Sequence, residues 1–192
     1  LEPLDMQNTG FRRKNIPPEK LALGYAKQED SLVRVDYQPI RYRWAGEMHA
    51  SVGDLATFTH MLLNDGHLMG RQVLDSASIR RMETPTSSWA GQAGIPTGYA
   101  LANIISAEGQ AVQYGHGGGI EGFTSRYAYF PETGFGFVLL MNTIQSEAFR
   151  KATQQILTLL PEAGDENLTE NAPLNKDFVQ PYLGTYKLAN PR

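Results

Sequence analysis

The sequence predicts an α+β fold in which helices flank an antiparallel β-sheet. Three observations support this prediction: a helical pattern from about Val52 to Asn64, several strand-like segments between Gly98 and Met141, and a helical pattern from about Gln145 to Leu160. The strand-like segments follow one another through short connections. Parallel strands need long crossovers, so these connections favour an antiparallel meander. The helices supply apolar stripes that can cover the sheet.

Composition indicates a globular chain of 192 residues with one sizeable core. Hydrophobic residues make up 41% and charged residues 19%, and the net charge of −3 offers no reason to expect a nucleic-acid partner. The sequence has no cysteine, which excludes disulfides, thiolate nucleophiles and cysteine zinc sites. The longest apolar run, Phe135 to Met141, is far shorter than the ~20 residues that cross a bilayer. We therefore expect no membrane span.

The first helix has clear start and stop signals. Ser51 followed by Asp54 forms a capping-box pattern, and the segment 64–66, Asn-Asp-Gly, ends the helical periodicity. Residues 1 to about 45 show no sustained period and predict extended or irregular chain. A second, short helix is predicted to begin at Asp75 or Ser76 and to end before Pro85. Its inward side chains are expected to be Ile79 and Met82.

Four segments then read as strands. The last two are separated by the segment 131–134, Pro-Glu-Thr-Gly, which predicts an antiparallel hairpin. A final helix from about Gln145 to Leu160 is expected to cover one face of the sheet. The predicted strands are GYALANII (98–105), AVQYGHGG (111–118), FTSRYAYF (123–130) and FGFVLLM (135–141). The apolar stripe of the final helix contains Phe149, Ala152, Ile156, Leu159 and Leu160.

The glycine-rich segment around His116 is the main candidate for a functional site. Gly117, Gly119 and Gly122 fit the spacing of a dinucleotide-binding loop, but that motif needs a following helix and a later acidic residue. A β-branched and aromatic strand follows here instead. A phosphate-binding P-loop is also disfavoured because its lysine is missing. Two interpretations stay open: a flexible turn, or a strand edge that leaves room for a ligand or another backbone.

Several ordered segments together resemble the C-terminal half of the serine β-lactamases and penicillin-binding-protein-like hydrolases, in the class C β-lactamase and esterase branch. The segments that resemble this family are 1–11 (LEPLDMQNTGF), 45–85 and 114–142 (YGHGGGIEGFTSRYAYFPETGFGFVLLMN). In that family a strand beside the active serine carries Lys-Thr-Gly or the variant His-x-Gly. His116-Gly117-Gly118 matches the variant. The resemblance implies a partial β-lactamase/transpeptidase-like fold.

The resemblance also implies roles for individual residues. The N–H of Gly119 would donate to the oxyanion, and His116 would hydrogen bond to the catalytic network or to a substrate carboxylate. Gly117 and Gly118 would leave room for the substrate backbone, and Glu121 and Trp89 are expected to line the cleft. Ser125 lacks a lysine three residues later, so we do not expect it to be a nucleophile.

Two family motifs are missing from the sequence, Ser-x-x-Lys and Tyr-x-Asn. Family order puts both upstream of Leu1, so we expect the chain to be the C-terminal portion of a longer hydrolase that acts on a β-lactam, a D-amino-acid peptide or an ester. On its own it is expected to be inactive. The alternative is a non-catalytic module on the same fold that binds peptidoglycan or a protein partner.

The sequence also predicts domain boundaries. Residues 1–160 would form the hydrolase portion, 161–176 a linker, and 177–192 the start of a further β-rich domain. No cofactor is expected. His49, His60 and His67 lack the spacing of metal ligands, so no metal site is expected either. The resemblance alone implies a periplasmic or secreted protein.

Overall fold

A five-stranded antiparallel sheet, in which each strand lies beside the next one along the chain, forms the centre of the molecule. The computed structural model describes residues 1–40, 43–108 and 111–160. The strands are β1 Gly24–Gln28, β2 Ser31–Val35, β3 His67–Leu68, β4 Arg71–Gln72, β5 Gly98–Tyr99, β6 Ile104–Glu108, β7 Ala111–Ile120, β8 Phe123–Phe130 and β9 Phe135–Met141. The helices are α1 Arg43–Gly46, α2 Val52–Leu63, α3 Ser76–Glu83, α4 Trp89–Gln92 and α5 Ser146–Leu157.

The sheet has a separate apolar core on each face. On one face, Met61 and Leu62 of α2 pack with Tyr129 of β8. On the other face, Ile156 and Leu157 of α5 pack against a cluster of Ala111, Ala128, Phe130 and Phe137. Successive strand residues point to opposite faces, so β8 contributes Tyr129 to one core and Ala128 to the other. The predicted α+β class, with an antiparallel sheet between helices, is confirmed.

The start of α2 follows the capping pattern in the sequence. The N–H of Asp54 donates to Ser51 Oγ at 3.1 Å, which satisfies one of the free donors of the first helical turn. The Asp54 carboxylate accepts from Asn8 N–H at 2.8 Å and from the Thr9 hydroxyl at 2.7 Å. Asp54 therefore ties the N-terminal segment to α2.

Helix α3 begins with a cap of the same kind, because the Asp75 carboxylate accepts from Ser78 N–H at 2.7 Å.

Three expectations about individual elements are wrong. Residues 1–45 are not irregular throughout, because β1 and β2 form an antiparallel hairpin. The segment 98–105 is not one strand: Ala102 has a φ of 66° and Ala100 N–H donates to Asn103 O, so a turn separates β5 from β6. The last helix ends at Leu157 rather than Leu160, and Leu159 is 70% exposed. The predicted linker and further domain, 161–192, lie outside the described residues.

The β8–β9 hairpin forms as predicted. The segment Pro131–Thr133 makes one 3-10 turn, and Gly134 closes it with a φ of 64°. The hairpin that joins β7 to β8 is tighter and turns at Gly122, which has a φ of 81°. Only glycine adopts such angles without strain, which explains both positions. A Cβ on Gly122 would also lie 2.9 Å from Gly24 Cα, because β1 approaches closely there.

Candidate active site

The glycine segment after His116 lies on a strand edge that is only half paired. Strand β6 pairs with β7 from Ala111 to Gly115, whereas β8 pairs with β7 from Tyr114 to Ile120. Beyond Gly115, no other strand of the described chain lies along the β6 side of β7. Successive N–H groups of a strand point to opposite edges, so this segment keeps backbone groups that no strand of the described residues contacts. Residues 117–119 are all exposed.

The space around these glycines differs from one to the next. A Cβ on Gly119 would meet no atom within 4 Å, whereas one on Gly118 would lie 2.8 Å from Ser125 Oγ. Gly119 also borders a cavity of about 470 Å³ between the sheet and α5, together with Thr124, Arg126 and Ser146. The residue predicted to donate to an oxyanion is therefore accessible. Ser125 stands opposite Gly118 in the ladder and has no lysine three residues later.

His116 is held by its own strand and by a neighbouring ring. Its Nδ1 lies 2.6 Å from Gly117 O, so Nδ1 carries the proton and donates to that carbonyl. In a neutral imidazole this arrangement leaves Nε2 as an acceptor. The ring of Tyr99 meets the imidazole edge-on, with 5.6 Å between centroids and an angle of 85°. Tyr127 lies opposite His116 on β8.

A buried polar network lies behind this edge, and sequence reasoning missed its centre, Asn103. The side chain of Asn103 is fully buried, and its oxygen accepts from the Tyr127 hydroxyl at 2.7 Å. Its NH₂ group donates to the Tyr129 hydroxyl at 3.0 Å and to Met82 O at 2.9 Å. The network joins the end of α3, the turn before β6 and strand β8. A lone asparagine in a turn carries no sequence signal for this role.

The same network perturbs several titratable groups. Burial, with a smaller contribution from the nearby Tyr99 hydroxyl, raises the pKa of Tyr127 to about 12. Burial raises the pKa of Tyr129 further, and the charge of Glu83 adds to this effect. Burial raises the pKa of Glu83 to about 6, although a hydrogen bond with Tyr129 opposes the shift. Tyr127 and Tyr129 therefore pack at the core with their hydroxyls hydrogen bonded.

The remaining predicted site residues lie on two different elements. Glu121 is exposed in the turn after β7, two residues beyond Gly119. Trp89 begins α4 and is 63% exposed. His116 and the glycines therefore lie on one strand, and Glu121 lies in the turn that follows it. Trp89 lies on α4, and the segment after α4 leads to Tyr99, whose ring contacts that of His116.

The other histidines lie apart from the glycine segment in the chain and serve local contacts. His49 Nδ1 lies 3.0 Å from Glu47 O, and burial lowers the pKa of its imidazole. His60 Nε2 lies 3.1 Å from the Asn64 amide, and His67 is exposed. Among the described residues, no group of three or more His, Asp or Glu side chains is placed to hold a metal ion. None of the helices in the described ranges is long and apolar enough to cross a membrane.

Comparison with known proteins shows which family the chain belongs to. The family model described as Beta-lactamase matches residues 1–160. The chain belongs to the beta-lactamase family. It is thus part of a family of serine hydrolases with a β-lactamase and penicillin-binding-protein-like fold. No curated protein matches the chain significantly.

Solved structures show the same fold in proteins that are considerably longer. The octameric penicillin-binding protein homologue from Pyrococcus abyssi is 25% identical over 82% of this chain and 36% of its own, with a TM-score of 0.64. The D-amino acid amidase from Ochrobactrum anthropi SV3, complexed with L-phenylalanine amide, is 22% identical over 82% of this chain and 47% of its own, with a TM-score of 0.64. The penicillin binding protein from Bacillus halodurans is 17% identical over 81% of this chain and 46% of its own, with a TM-score of 0.59. This beta-lactamase-family chain spans less than half the length of each.

Proposed function

We propose that the intact protein is a serine hydrolase that forms an acyl-enzyme on a β-lactam, a D-amino-acid peptide or a small ester. The observation that carries this proposal is the exposed glycine segment 117–119 on the half-paired edge of β7, directly after His116. Serine acyl transfer needs a nucleophile, a base and hydrogen-bond donors for the developing oxyanion. This chain would supply the donor edge.

Each residue of the edge has a task under this mechanism. The Gly119 N–H would donate to the oxyanion together with the N–H of the serine. A side chain at Gly118 would displace the Ser125 hydroxyl, which lies 2.8 Å from the position of its Cβ. Gly117 would let the substrate lie along the strand.

Three further side chains of this chain would complete the cleft, those of His116, Glu121 and Trp89. With Nδ1 donating to Gly117 O, the Nε2 of a neutral His116 would accept a hydrogen bond from the serine and tyrosine network. Protonated His116 would instead pair with a substrate carboxylate. Glu121 and Trp89 are both exposed and would line the cleft.

The nucleophile and base would come from a part of the intact protein outside this chain. Ser-x-x-Lys and Tyr-x-Asn do not occur in the sequence, and the related structures are more than twice as long as the portion matched here. The upstream half of the hydrolase domain would thus be the partner of this chain. By analogy with enzymes of cell-wall-like substrates, we place the protein in the periplasm or outside the cell.

Covalent labelling tests the proposal. The intact protein should form a stable adduct with a fluorescent penicillin or a fluorophosphonate, seen as a mass increase on one serine, and the 192-residue chain alone should not. Labelling of the chain alone would reveal a nucleophile within it. An intact protein that takes up neither probe would contradict the hydrolase proposal and favour the non-catalytic module that binds peptidoglycan or a protein partner.

Two substitutions at Gly119 test the oxyanion role. Gly119→Pro removes the N–H and should slow acylation ~10²- to 10³-fold, the usual loss for one oxyanion donor. Gly119→Ala is the matched control, because it keeps the N–H and its Cβ meets no atom within 4 Å. It should label within ~3-fold of the wild-type rate. Equal rates for the two variants, with thermal unfolding unchanged in both, would contradict the assigned role.

A further inference from the structure

Tyr99 is fixed by backbone hydrogen bonds beside the candidate site. Its N–H donates to Ser87 Oγ at 2.7 Å, and its carbonyl accepts from the N–H groups of Thr86 and Ser87 at 3.2 Å. It also belongs to β5, which pairs with β6. With both backbone polar groups bonded, Tyr99 has little freedom to leave this position.

The segment that precedes Tyr99 is held together by similar contacts. The Ser88 hydroxyl donates to Thr97 O at 2.8 Å and accepts from Gly91 N–H at 2.9 Å. A Cβ on Gly98 would lie 2.6 Å from Ser88 Oγ, so the chain packs tightly where it returns from α4. The α4 turn and β5 therefore form one pre-organised unit, and such pre-organisation reduces the entropy cost of binding.

This unit presents apolar surface next to His116. Tyr99 is 41% exposed although its ring contacts the imidazole, and Trp89 and Ile95 on the same segment are 63% and 41% exposed. No charged residue occurs between Glu83 and Glu108 in the sequence. A ligand group that lies against this segment would therefore meet aromatic and apolar side chains and uncharged hydrogen-bonding groups.

We propose that Tyr99 determines specificity by packing against an aromatic or large apolar group that adjoins the scissile carbonyl of the substrate. The inference rests on the proposed function, because the carbonyl would be bound at Gly119 on the strand that carries His116. The exposed part of the Tyr99 ring offers a flat surface, and aromatic pairs gain stability from offset or edge-to-face contact. The preferred substrates would thus be uncharged and aromatic at this position.

The test compares two esters that share one leaving group. For the intact protein, kcat/KM is measured with p-nitrophenyl phenylacetate and p-nitrophenyl acetate. Tyr99→Ala should lower the ratio of the two values ~10-fold, chiefly by raising KM for the aromatic ester, as expected when an apolar contact is lost. Tyr99→Phe should keep the ratio within ~2-fold, because it retains the ring. Met69→Ala, which removes a 97% exposed apolar side chain from the turn between β3 and β4, is the control and should change neither value.

A binding measurement separates failure of this inference from failure of the proposed function. Phenylacetamide and acetamide are titrated into the intact protein, and the NMR signals of the His116 ring are followed. Phenylacetamide should shift these signals in the wild-type protein and in Tyr99→Phe. In Tyr99→Ala, the Kd obtained from the titration should be at least ~10-fold higher. This result would support the role of Tyr99 even if no ester were hydrolysed. Absence of a shift in the wild-type protein, or an equal loss for both esters in Tyr99→Ala, would overturn it.

Discussion

Glu83 is the titratable residue through which pH acts on the network behind the candidate site. Its folded-state pKa is raised to about 6 from an ordinary value of 4.5, chiefly by burial. Between these two values the folded protein binds more protons than the unfolded chain, so stability must fall as pH rises through this window. A shift of this size corresponds to ~2 kcal/mol, and partial exposure of the side chain reduces it to about 1 kcal/mol.

Glu83→Gln should remove this contribution. The amide has no charge to desolvate, and its oxygen can keep the hydrogen bond with the Tyr129 hydroxyl. Relative to the wild-type protein, the variant should gain about 1 kcal/mol of unfolding free energy between pH 4.5 and pH 7.5. Urea unfolding of both proteins at the two pH values measures the gain. A difference between the two proteins that is the same at both pH values would show that Glu83 does not titrate in this window.

At the scale of single residues, sequence patterns identify those whose role is local. His116 and the glycines are recognisable because a histidine before three glycines in a strand is unusual, and Ser51 and Asp54 because capping depends on spacing. Asn103 and Tyr99 carry no such signal. Their roles arise from contacts with β8 and β7 that are formed only when the sheet is assembled.

At the scale of secondary-structure elements, the β7–β8 and β8–β9 hairpins provide a matched pair of turn glycines. Gly122 and Gly134 both have positive φ, 81° and 64°, so alanine at either position is strained by ~1 kcal/mol. A Cβ at Gly134 meets no atom within 4 Å, but one at Gly122 would lie 2.6 Å from Val35 Cγ2 and 2.9 Å from Gly24 Cα. Of the two added Cβ atoms, the one at Gly122 would therefore clash with another element, the β1–β2 hairpin.

Gly122→Ala should therefore destabilise the protein by about 3 kcal/mol and Gly134→Ala by about 1 kcal/mol. Chemical denaturation of the two variants and the wild-type protein gives both values. Equal losses would mean that the β1–β2 hairpin does not pack against this turn in solution.

The same hairpin shows why some elements were predicted and others were not. Helix α2 and the β8–β9 hairpin have local signals, a cap in the first case and Pro and Gly at the turn in the second. The β1 and β2 strands, GYAKQ and SLVRV, have little alternation between apolar and polar residues, and β2 is mostly exposed. Its pairing depends on β1, which in turn donates from Tyr25 N–H to Asn142 O after β9. Such long-range contacts do not appear in the local sequence pattern.

At the scale of the whole molecule, the sequence predicts that the hydrolase fold ends at residue 160. The family match ends at residue 160, and α5 with Leu160 contributes to the core on its side of the sheet. Removal of residues 161–192 should therefore leave the Tm of the intact protein within ~2 °C. Removal of residues 146–192 should lower it by more than ~10 °C, because Ile156, Leu157 and Leu160 each contribute ~1.5–3 kcal/mol of burial at most. Differential scanning calorimetry of the two truncations measures both effects, and a large loss in the shorter deletion would show that the segment after residue 160 packs against the hydrolase fold.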